Sequence, residues 1–383
     1  MREDFDAFAD QIHSGLAEDR KQTAKLNVTS APALMQMDLP PVRFIVDGLI
    51  PSGLSILASP PKFGKSWLVL NLCLSVAAGQ PFLGYKANQG KALYLALEDS
   101  KQRLKARLAQ LLAGRQAPES FDFATKCSPL SEGLLDELET YCAEHPTTSL
   151  IVVDTLQKIR AGAHRYETPY AADYRETGTL KAFADKHNIA LLLVHHLRKQ
   201  GDDGDVFARI SGTNGIFGAA DTAIVLTRAV RNDVQTTMSI TGRDVDSEEL
   251  VLKFDKERGS WHNLGNADDV AEQTIRADYE NSPIVCTIRK LLAQNPDGWS
   301  GSAQELMTAG TFIVRKSIAG SPRELTSRLK ELDCHLLSLD GIAHERQKNG
   351  NGGGKHRFFY VGTNPFEEAE MENLSFQEAG NNR

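Results

Sequence analysis

At 383 residues the chain has room for two or three domains, and 41% hydrophobic against 24% charged residues is the balance of a soluble globular protein. A net charge of −7 excludes a global basic signature, so any contact with nucleic acid has to come from local patches. No run nears the ~20 apolar residues of a membrane span, and Met-Arg-Glu-Asp-Phe-Asp starts no signal peptide, so a cytoplasmic protein with no membrane partner is expected.

Residues 1–45 read as an N-terminal arm or helix. Phe5, Phe8, Ile12 and Leu16 recur at spacings of three and four, and an aperiodic Ala/Pro-containing segment, 29–41, follows. The region is too short for a domain. It is either a loosely attached helix or an arm that packs on a neighbouring subunit.

From 46 to 262 short apolar runs alternate with helical patterns, which predicts an α/β domain with a mostly parallel central sheet. The runs are 54–58, 92–97, 150–153, 189–194 and 222–226. Two more, 238–241 and 250–254, flank Gly242-Arg243-Asp244 and read as a strand pair added at the sheet edge. The five cysteines (73, 127, 142, 286, 334) show no Cys-x-x-Cys spacing and sit mostly in apolar patterns, as reduced core residues would.

The first run leads into Ser59-Pro60-Pro61-Lys62-Phe63-Gly64-Lys65-Ser66, and a helical pattern opens at Trp67 and stops at Gly79, with Pro81 beyond. Strand, tight loop, Gly-Lys-Ser and helix is the order of a phosphate-binding P-loop. The N–H groups of such a loop, here from about Phe63 to Trp67, point inward and meet the positive end of the helix dipole. The lysine reaches the β- and γ-phosphates, and the serine hydroxyl takes a place on Mg²⁺. An ordinary glycine-containing turn is the alternative, and the strand before and the helix after weigh against it. Residues 59–67 are therefore the expected ATP-binding segment. One position departs from the strict pattern G-x-x-x-x-G-K-[ST]: Ser59 stands where it wants glycine.

Three later runs end on polar residues at the carboxyl edge of the predicted sheet, where open α/β sheets bind their ligands. Asp154 is the second expected Mg²⁺ ligand. A strand-end Asp is also a common turn residue, and it is the pairing with the P-loop that makes a Walker B site. Glu98 is placed to position and activate water; Asp99 and Ser100 are better caps for the next helix and leave it free. His195 and His196 end the fourth run, and strand alternation lets only one of them face a nucleotide, as a γ-phosphate sensor rather than a structural histidine. No Cys or carboxylate at metal spacing accompanies the pair, so zinc is not expected.

Polarity rises and periodicity fades over 263–282, which reads as a linker. A third unit, 283–362, starts a helix at Ser282-Pro283 with Ile284, Ile288, Leu291 and Leu292 on one face. Ser302-x-x-Glu305 and Ser321-Pro322-x-Glu324 are two capping-box starts. The last helix aligns Leu325, Leu329, Leu332 and Leu336, and runs at 342–346 and 355–361 flank a Gly-rich tip. Three helices and a hairpin in that order predict a small winged-helix-like domain. The acidic segment 363–383 reads as a disordered tail.

Five phrases, Ser59–Ser66, Leu93-Tyr-Leu-Ala-Leu-Glu-Asp-Ser100, Ile151-Val-Val-Asp-Thr155, His195-His-Leu-Arg-Lys199 and Ile210-Ser-Gly-Thr-Asn-Gly with Gly-Ala-Ala-Asp221, together resemble the RecA-type ATPases. The likeness is to the RepA-like hexameric helicases in particular and covers 46–262. It implies a RecA-like P-loop fold and a ring, usually a hexamer, with ATP held between subunits. On that pattern Glu98 matches the catalytic glutamate and His196 the polar sensor that links the γ-phosphate to DNA-facing loops. Arg243 resembles the arginine supplied across the interface; a turn arginine bonded to Asp244 or Asp246 is the plainer reading. The loops at 157–176 and 198–215 would line a channel for single-stranded DNA, with Arg198, Lys199 and Arg209 as phosphate contacts. Tyr166, Tyr170, Tyr174 and Phe207 are the aromatic candidates there.

The implied function is ATP hydrolysis coupled to DNA unwinding or translocation, as in a replicative helicase of a plasmid, phage or other mobile element. Its partners would be single-stranded or forked DNA and a replication initiator or primase. A RecA/KaiC-like recombination or regulatory ATPase that does not unwind is a second reading. An ATP-switched DNA-binding protein acting through the winged helix is a third. The likeness does not reach the first 45 residues or the third unit. There Arg323, Arg328 and Lys330 on the last helix, with Arg346, Lys348, Lys355 and Arg357 on or beside the hairpin, form a local basic excess. Contact with DNA and contact with a protein partner both fit it.

Overall fold

The computed structural model describes residues 28–161, 167–197, 205–210, 214–228, 234–348 and 354–362. The chain divides into two compact units, 1–43 and 44–383. The described part of the first contains one five-residue helix, α1 (Ala31–Met35), capped by Ser30, whose Oγ accepts the Ala33 N–H. The helix expected around Phe5, Phe8, Ile12 and Leu16 and the tail at 363–383 lie outside the described residues.

The second unit opens with an antiparallel pair, β1 (Phe44–Val46) and β2 (Ile50–Pro51). Strands and helices then alternate: β3 (Gly53–Ser59), α2 (Lys65–Ala78), β4 (Lys91–Ala96), α3 (Lys101–Leu112), β5 (Phe121–Ala124), α4 (Leu134–Glu144) and β6 (Thr148–Asp154). They continue as α5 (Leu156–Ile159), α6 (Pro169–His187), β7 (Ala190–His196), α7 (Asn214–Ala219) and β8 (Thr222–Thr227). A meander of β9 (Gln235–Gly242), β10 (Glu248–Asp255) and β11 (Ser260–Asn266) closes the series.

These strands make one nine-stranded sheet in the order β11-β10-β9-β8-β3-β7-β6-β4-β5. From β8 to β5 the pairing is parallel, and from β8 to β11 it is antiparallel. Every residue of β3 and β6 is buried, because helices cover both faces of the sheet. Leu57, Val152 and Leu192 point to the face carrying α2, with Leu68, Leu72 and Cys73 against them. Ile56, Ile151 and Leu191 point the other way, against Leu138 of α4 and Leu180 and Phe183 of α6. Each apolar run of the sequence is a strand. β5 and β11 are additions, both short of the continuous apolar run that marks the others.

Register aligns the carboxyl ends that matter. Ser59 pairs with His196, Asp154 with Val194, and Ala96 with Asp154, so β3, β7, β6 and β4 end at one edge. Gly79, at φ 64°, ends α2 in the left-handed conformation that the sequence predicts there.

Residues 267–280 are not the aperiodic stretch expected of 263–282. They form α8 (Ala267–Glu280), started by Asn266, whose side chain accepts the Asp268 N–H, with Asp268 and Asp269 in the positive first turn. The helix buries only Tyr279 and is polar on average, so it lacks the core-facing apolar stripe of the other helices. Beyond it lie α9 (Pro283–Gln294), β12 (Trp299–Ser302), α10 (Ala303–Val314), α11 (Pro322–Asp340), β13 (Ile342–Lys348) and β14 (Gly354–Tyr360). The three strands form an antiparallel sheet in the order β12-β14-β13 on a core that includes Ile284, Ile288, Leu306, Leu325, Leu329 and Phe358. β12 joins the hairpin legible in the sequence. At Ser302 the capping box with Glu305 is complete. Glu324 instead accepts the Gly320 N–H, one residue ahead of the cap.

All five cysteines are free; Cys73 and Cys142 are buried, but Cys334 is exposed on the outer face of α11, against the core placement expected of it. No helix among the described residues is long and apolar enough to cross a membrane.

Candidate functional site

The loop from β3 to α2 turns through two left-handed residues, Lys62 at φ 66° and Gly64 at φ 88°. Position 64 needs glycine twice over. Its φ is one that side chains avoid, and a Cβ there would meet Trp261 Cζ2 at 3.0 Å. The Trp261 indole N–H donates to the Gly64 carbonyl at 3.4 Å, so the last strand of the meander covers the loop. The Arg228 guanidinium lies 4.6 Å from the centre of the Phe63 ring.

Lys65 is buried, and its ammonium is fully engaged. Nζ donates to Ser59 O at 2.9 Å, Ser59 Oγ at 3.0 Å and Pro60 O at 3.3 Å, and stands 3.5 Å from His196 Nδ1. Burial lowers its pKa to about 8, against the opposing charges of Asp154 and Glu98. Ser59 and Pro60 thus lie behind the loop as acceptors for Lys65. Pro61 through Trp67 line a cleft of about 420 Å³ together with Glu98, Arg107, Asp154, Thr155 and His196.

Asp154 Oδ2 accepts hydrogen bonds from Ser66 Oγ at 2.9 Å and Tyr94 OH at 2.7 Å. Burial raises the Asp154 pKa although both hydroxyls act against the rise. A serine hydroxyl beside a carboxylate is a hard-oxygen pair of the kind that suits Mg²⁺, which needs only one or two protein oxygens beside water and phosphate.

Glu98 follows β4 at the same edge, and its Oε1 accepts from Thr155 Oγ1 at 3.4 Å. Ser100 caps α3 by accepting the Arg103 N–H, and Asp99 binds Arg103 and Arg107, so Glu98 serves neither purpose. Alternation on β7 sends His196 into the cleft and buries His195 within the sheet. Burial, then the charge of Lys65, lowers the His196 pKa.

Arg107 is a cleft residue that the sequence reading missed. It sits two turns beyond Asp99, with Nη1 at 2.6 Å from Asp99 Oδ2 and the guanidinium 5.2 Å from the centre of the Trp67 ring. The signal was present, since Arg103 and Arg107 follow Asp99 at helical spacing. For Tyr94 and Trp261 no local signal exists.

Arg243 is elsewhere. Gly242 and Ser55 both pair with Thr222, which puts Arg243 by the amino end of β3, whereas Lys65 follows its carboxyl end. A strand of this length separates the two by roughly 20 Å. The partner of Arg243 is Asp221, not Asp244 or Asp246. Its N–H donates to Asp221 O at 2.9 Å and Nη1 to Asp221 Oδ1 at 3.4 Å. Asp221 is more tightly engaged by Lys181 Nζ at 2.5 Å and the Leu54 N–H at 3.0 Å. The Arg243 side chain is left 62% exposed.

Of the residues assigned to nucleic acid, Arg198 and Lys199 lie outside the described residues, as does Tyr166. Arg209 is half-buried in the short turn Phe207–Arg209. Arg323 and Lys330 share one face of α11, while Arg328 is turned away and pairs with Glu324 at 2.7 Å.

A family model described as an AAA domain matches residues 20–202. The DNA repair protein RadA of Mycobacterium tuberculosis is 24% identical over 200 residues, which cover 47% of this chain and 38% of RadA. The chain therefore matches well under half the length of that relative. Among solved structures, the ATPase domain of G40P aligns with a TM-score of 0.46 at 16% identity, covering 67% of this chain and 98% of that one. A DnaB-like replicative helicase, solved in work on its interactions with primase, gives a TM-score of 0.48 at 14% identity, covering 66% and 71%.

Proposed function

We propose that the chain carries a RecA-type P-loop ATPase domain and is an ATP-dependent motor on nucleic acid, a RepA-like replicative DNA helicase; the AAA-domain match and the mostly parallel sheet support this. The observation that supports this most is the meeting of Lys65, Ser66, Glu98, Asp154 and His196 in one cleft while Arg243 lies at the far edge of the same sheet. Under this proposal the cleft supplies phosphate binding and water activation, and the exposed arginine would complete a neighbour's cleft.

In this reading the N–H groups of the loop and Lys65 hold the β- and γ-phosphates. Ser66 and Asp154 would hold Mg²⁺, which when bound neutralises phosphate charge. Glu98 orients the attacking water and accepts its proton as the water oxygen bonds to the γ-phosphorus and the bond to the departing ADP oxygen breaks. His196, beside Lys65, registers the γ-phosphate and passes its loss to the segment that follows β7. Arg243 of one subunit stabilises charge on the γ-phosphoryl in the next, an effect worth ~10³–10⁵ in rate where such arginines operate.

A site shared this way requires a head-to-tail interface, which closes into a ring when the rotation between subunits allows; a hexamer is the proposed assembly. Single-stranded or forked DNA would be the track, with the loops after β6 and β7 facing it and a replication initiator or primase as the loading partner. The C-terminal unit, three helices with a three-stranded sheet, serves as a winged-helix-like module.

The test is strand displacement on forked DNA. Unwinding should require ATP and vanish in Lys65→Ala. DNA-stimulated ATP hydrolysis with no displacement on any fork would reject the helicase and leave an ATPase that does not unwind.

A further inference from the structure

The C-terminal unit contains a second cavity, of about 590 Å³, between the first turns of α10 and α11 and the hairpin β13–β14. Arg323 and Lys330 of α11 and Arg346 of β13 line it, and no carboxylate does. None of these three cations has an ion pair among the described residues, whereas Arg328 pairs with Glu324 and Arg357 with Glu345. In a chain of net charge −7, three cations converging on one hollow without a counter-charge repel one another until an anion enters.

The shape of the hollow narrows the choice of anion. Arg323, Thr326, Ser327 and Lys330 recur at spacings of three, one and three, so they form a stripe along one face of α11. The seven helical steps from Arg323 to Lys330 cover roughly 10 Å of axis, longer than one phosphate group and long enough for two successive phosphates of a chain. Arg346 faces this stripe across the hollow and lies over Gly354, where a Cβ would meet its Nε at 3.0 Å. Gly354 therefore gives the guanidinium the room it occupies.

The floor is His356, 1% exposed and held by a relay. His344 Nδ1 bonds to Asp333 Oδ1, and His344 Nε2 lies 2.8 Å from His356 Nδ1. The tautomers of the two rings set which of these nitrogens donates. Burial first, then His344 and Arg346, lowers the His356 pKa to about 4, so the floor adds no charge of its own at neutral pH.

We propose that this cavity seats the phosphodiester backbone of a nucleic-acid strand, with Arg323, Lys330 and Arg346 as its phosphate-binding groups. The Ser327 hydroxyl adds a polar group along the stripe, whereas the Thr326 hydroxyl already donates to Pro322 O at 2.9 Å. Backbone contacts position a protein without reading bases, so binding through this seat is indifferent to sequence. Arg328 takes no part, because its face of α11 is turned elsewhere.

The test is fluorescence anisotropy of the full-length protein on a labelled DNA duplex over a salt series, without ATP. The outcome is then independent of the nucleotide cleft and of any motor activity. Wild type is compared with Lys330→Ala, Arg346→Ala, Arg346→Lys and Lys290→Ala, the last an exposed basic residue of α9 outside the cavity. Lys330→Ala and Arg346→Ala should each weaken binding roughly tenfold at low salt and flatten the log–log salt slope by about one. Arg346→Lys should lose less, and Lys290→Ala should bind as wild type. Unchanged affinity and slope in the first two variants would overturn the proposal. Equal losses in Lys290→Ala would do so too, by showing a diffuse basic surface. So would protection of residues 342–348 from hydrogen exchange by inorganic phosphate but not by the duplex, which would assign the cavity to a free phosphate.

Discussion

Lys65 Nζ lies 3.0 Å from Ser59 Oγ, the hydroxyl that stands where the strict P-loop pattern has glycine. That hydroxyl, with the carbonyls of Ser59 and Pro60, holds the ammonium that must turn toward the phosphates. Removing one such bond relieves roughly 0.5–1.5 kcal/mol of competition. Ser59→Ala should therefore tighten nucleotide binding about two- to tenfold, read as the Kd of a fluorescent ATP analogue. Weaker binding in Ser59→Ala would mean that the hydroxyl orients Lys65 for the nucleotide instead of competing for it.

The depressed Lys65 pKa sets a pH window. Bound phosphates favour the charged amine, so binding raises a pKa that starts at about 8. Affinity should be full below about pH 8 and fall as pH rises above it, by up to about tenfold per unit. Kd values for a non-hydrolysable analogue between about pH 7 and about pH 9.5 check this, and a flat profile would contradict it.

Tyr94 OH donates to the carboxylate that is proposed to hold Mg²⁺. Outer partners of this kind are worth ~10–100-fold in metal affinity. Tyr94→Phe should raise the Mg²⁺ concentration for half-maximal ATP hydrolysis by about tenfold. It should also move the acid limit of activity to higher pH, because Asp154, already raised by burial, loses a bond that lowers it. An unchanged Mg²⁺ titration would remove Tyr94 from the site.

Arg107 reaches the cleft from α3 with its guanidinium fixed by Asp99 and laid over Trp67. A fixed cation on the wall of an anion site contributes roughly 1.5–3 kcal/mol through charged hydrogen bonds. Arg107→Ala should raise the KM for ATP at least about tenfold with little change in kcat, and Arg107→Lys should recover part of the loss. A fall in kcat at constant KM would place Arg107 in the chemistry.

Most of the cleft was legible in the sequence because each of its strands is buried on both faces. Such strands read as continuous apolar runs, and the polar residue that breaks each run marks the edge where ligands sit. Glu98, Asp154 and His196 were all found this way. Alternation offered His195 and His196 as rivals, and burial separated them. What stayed hidden depends on tertiary approach. Trp261 covers Gly64 from a strand almost two hundred residues later, along a polar sequence with no apolar run. The partner of Arg243 is Asp221, a strand away, whereas a sequence reading looks first to Asp244 and Asp246. Helix α8 buries only Tyr279 and is rich in polar residues, so it reads as a linker although it is helical. The departure at Ser59 could be seen but not interpreted until its hydroxyl was found on Lys65.

The central claim is that one chain holds only part of its ATPase site, since Arg243 lies at the sheet edge opposite Lys65. Mixing two inactive variants tests it most directly. Lys65→Ala retains Arg243, and Arg243→Ala retains the P-loop, so a mixed ring rebuilds complete sites wherever the two adjoin in the correct order. Each variant alone should lack turnover, Arg243→Ala should still bind ATP, and an equal mixture should recover roughly a quarter of the wild-type rate. Wild-type turnover in Arg243→Ala alone, or no recovery in the mixture, would contradict the shared site.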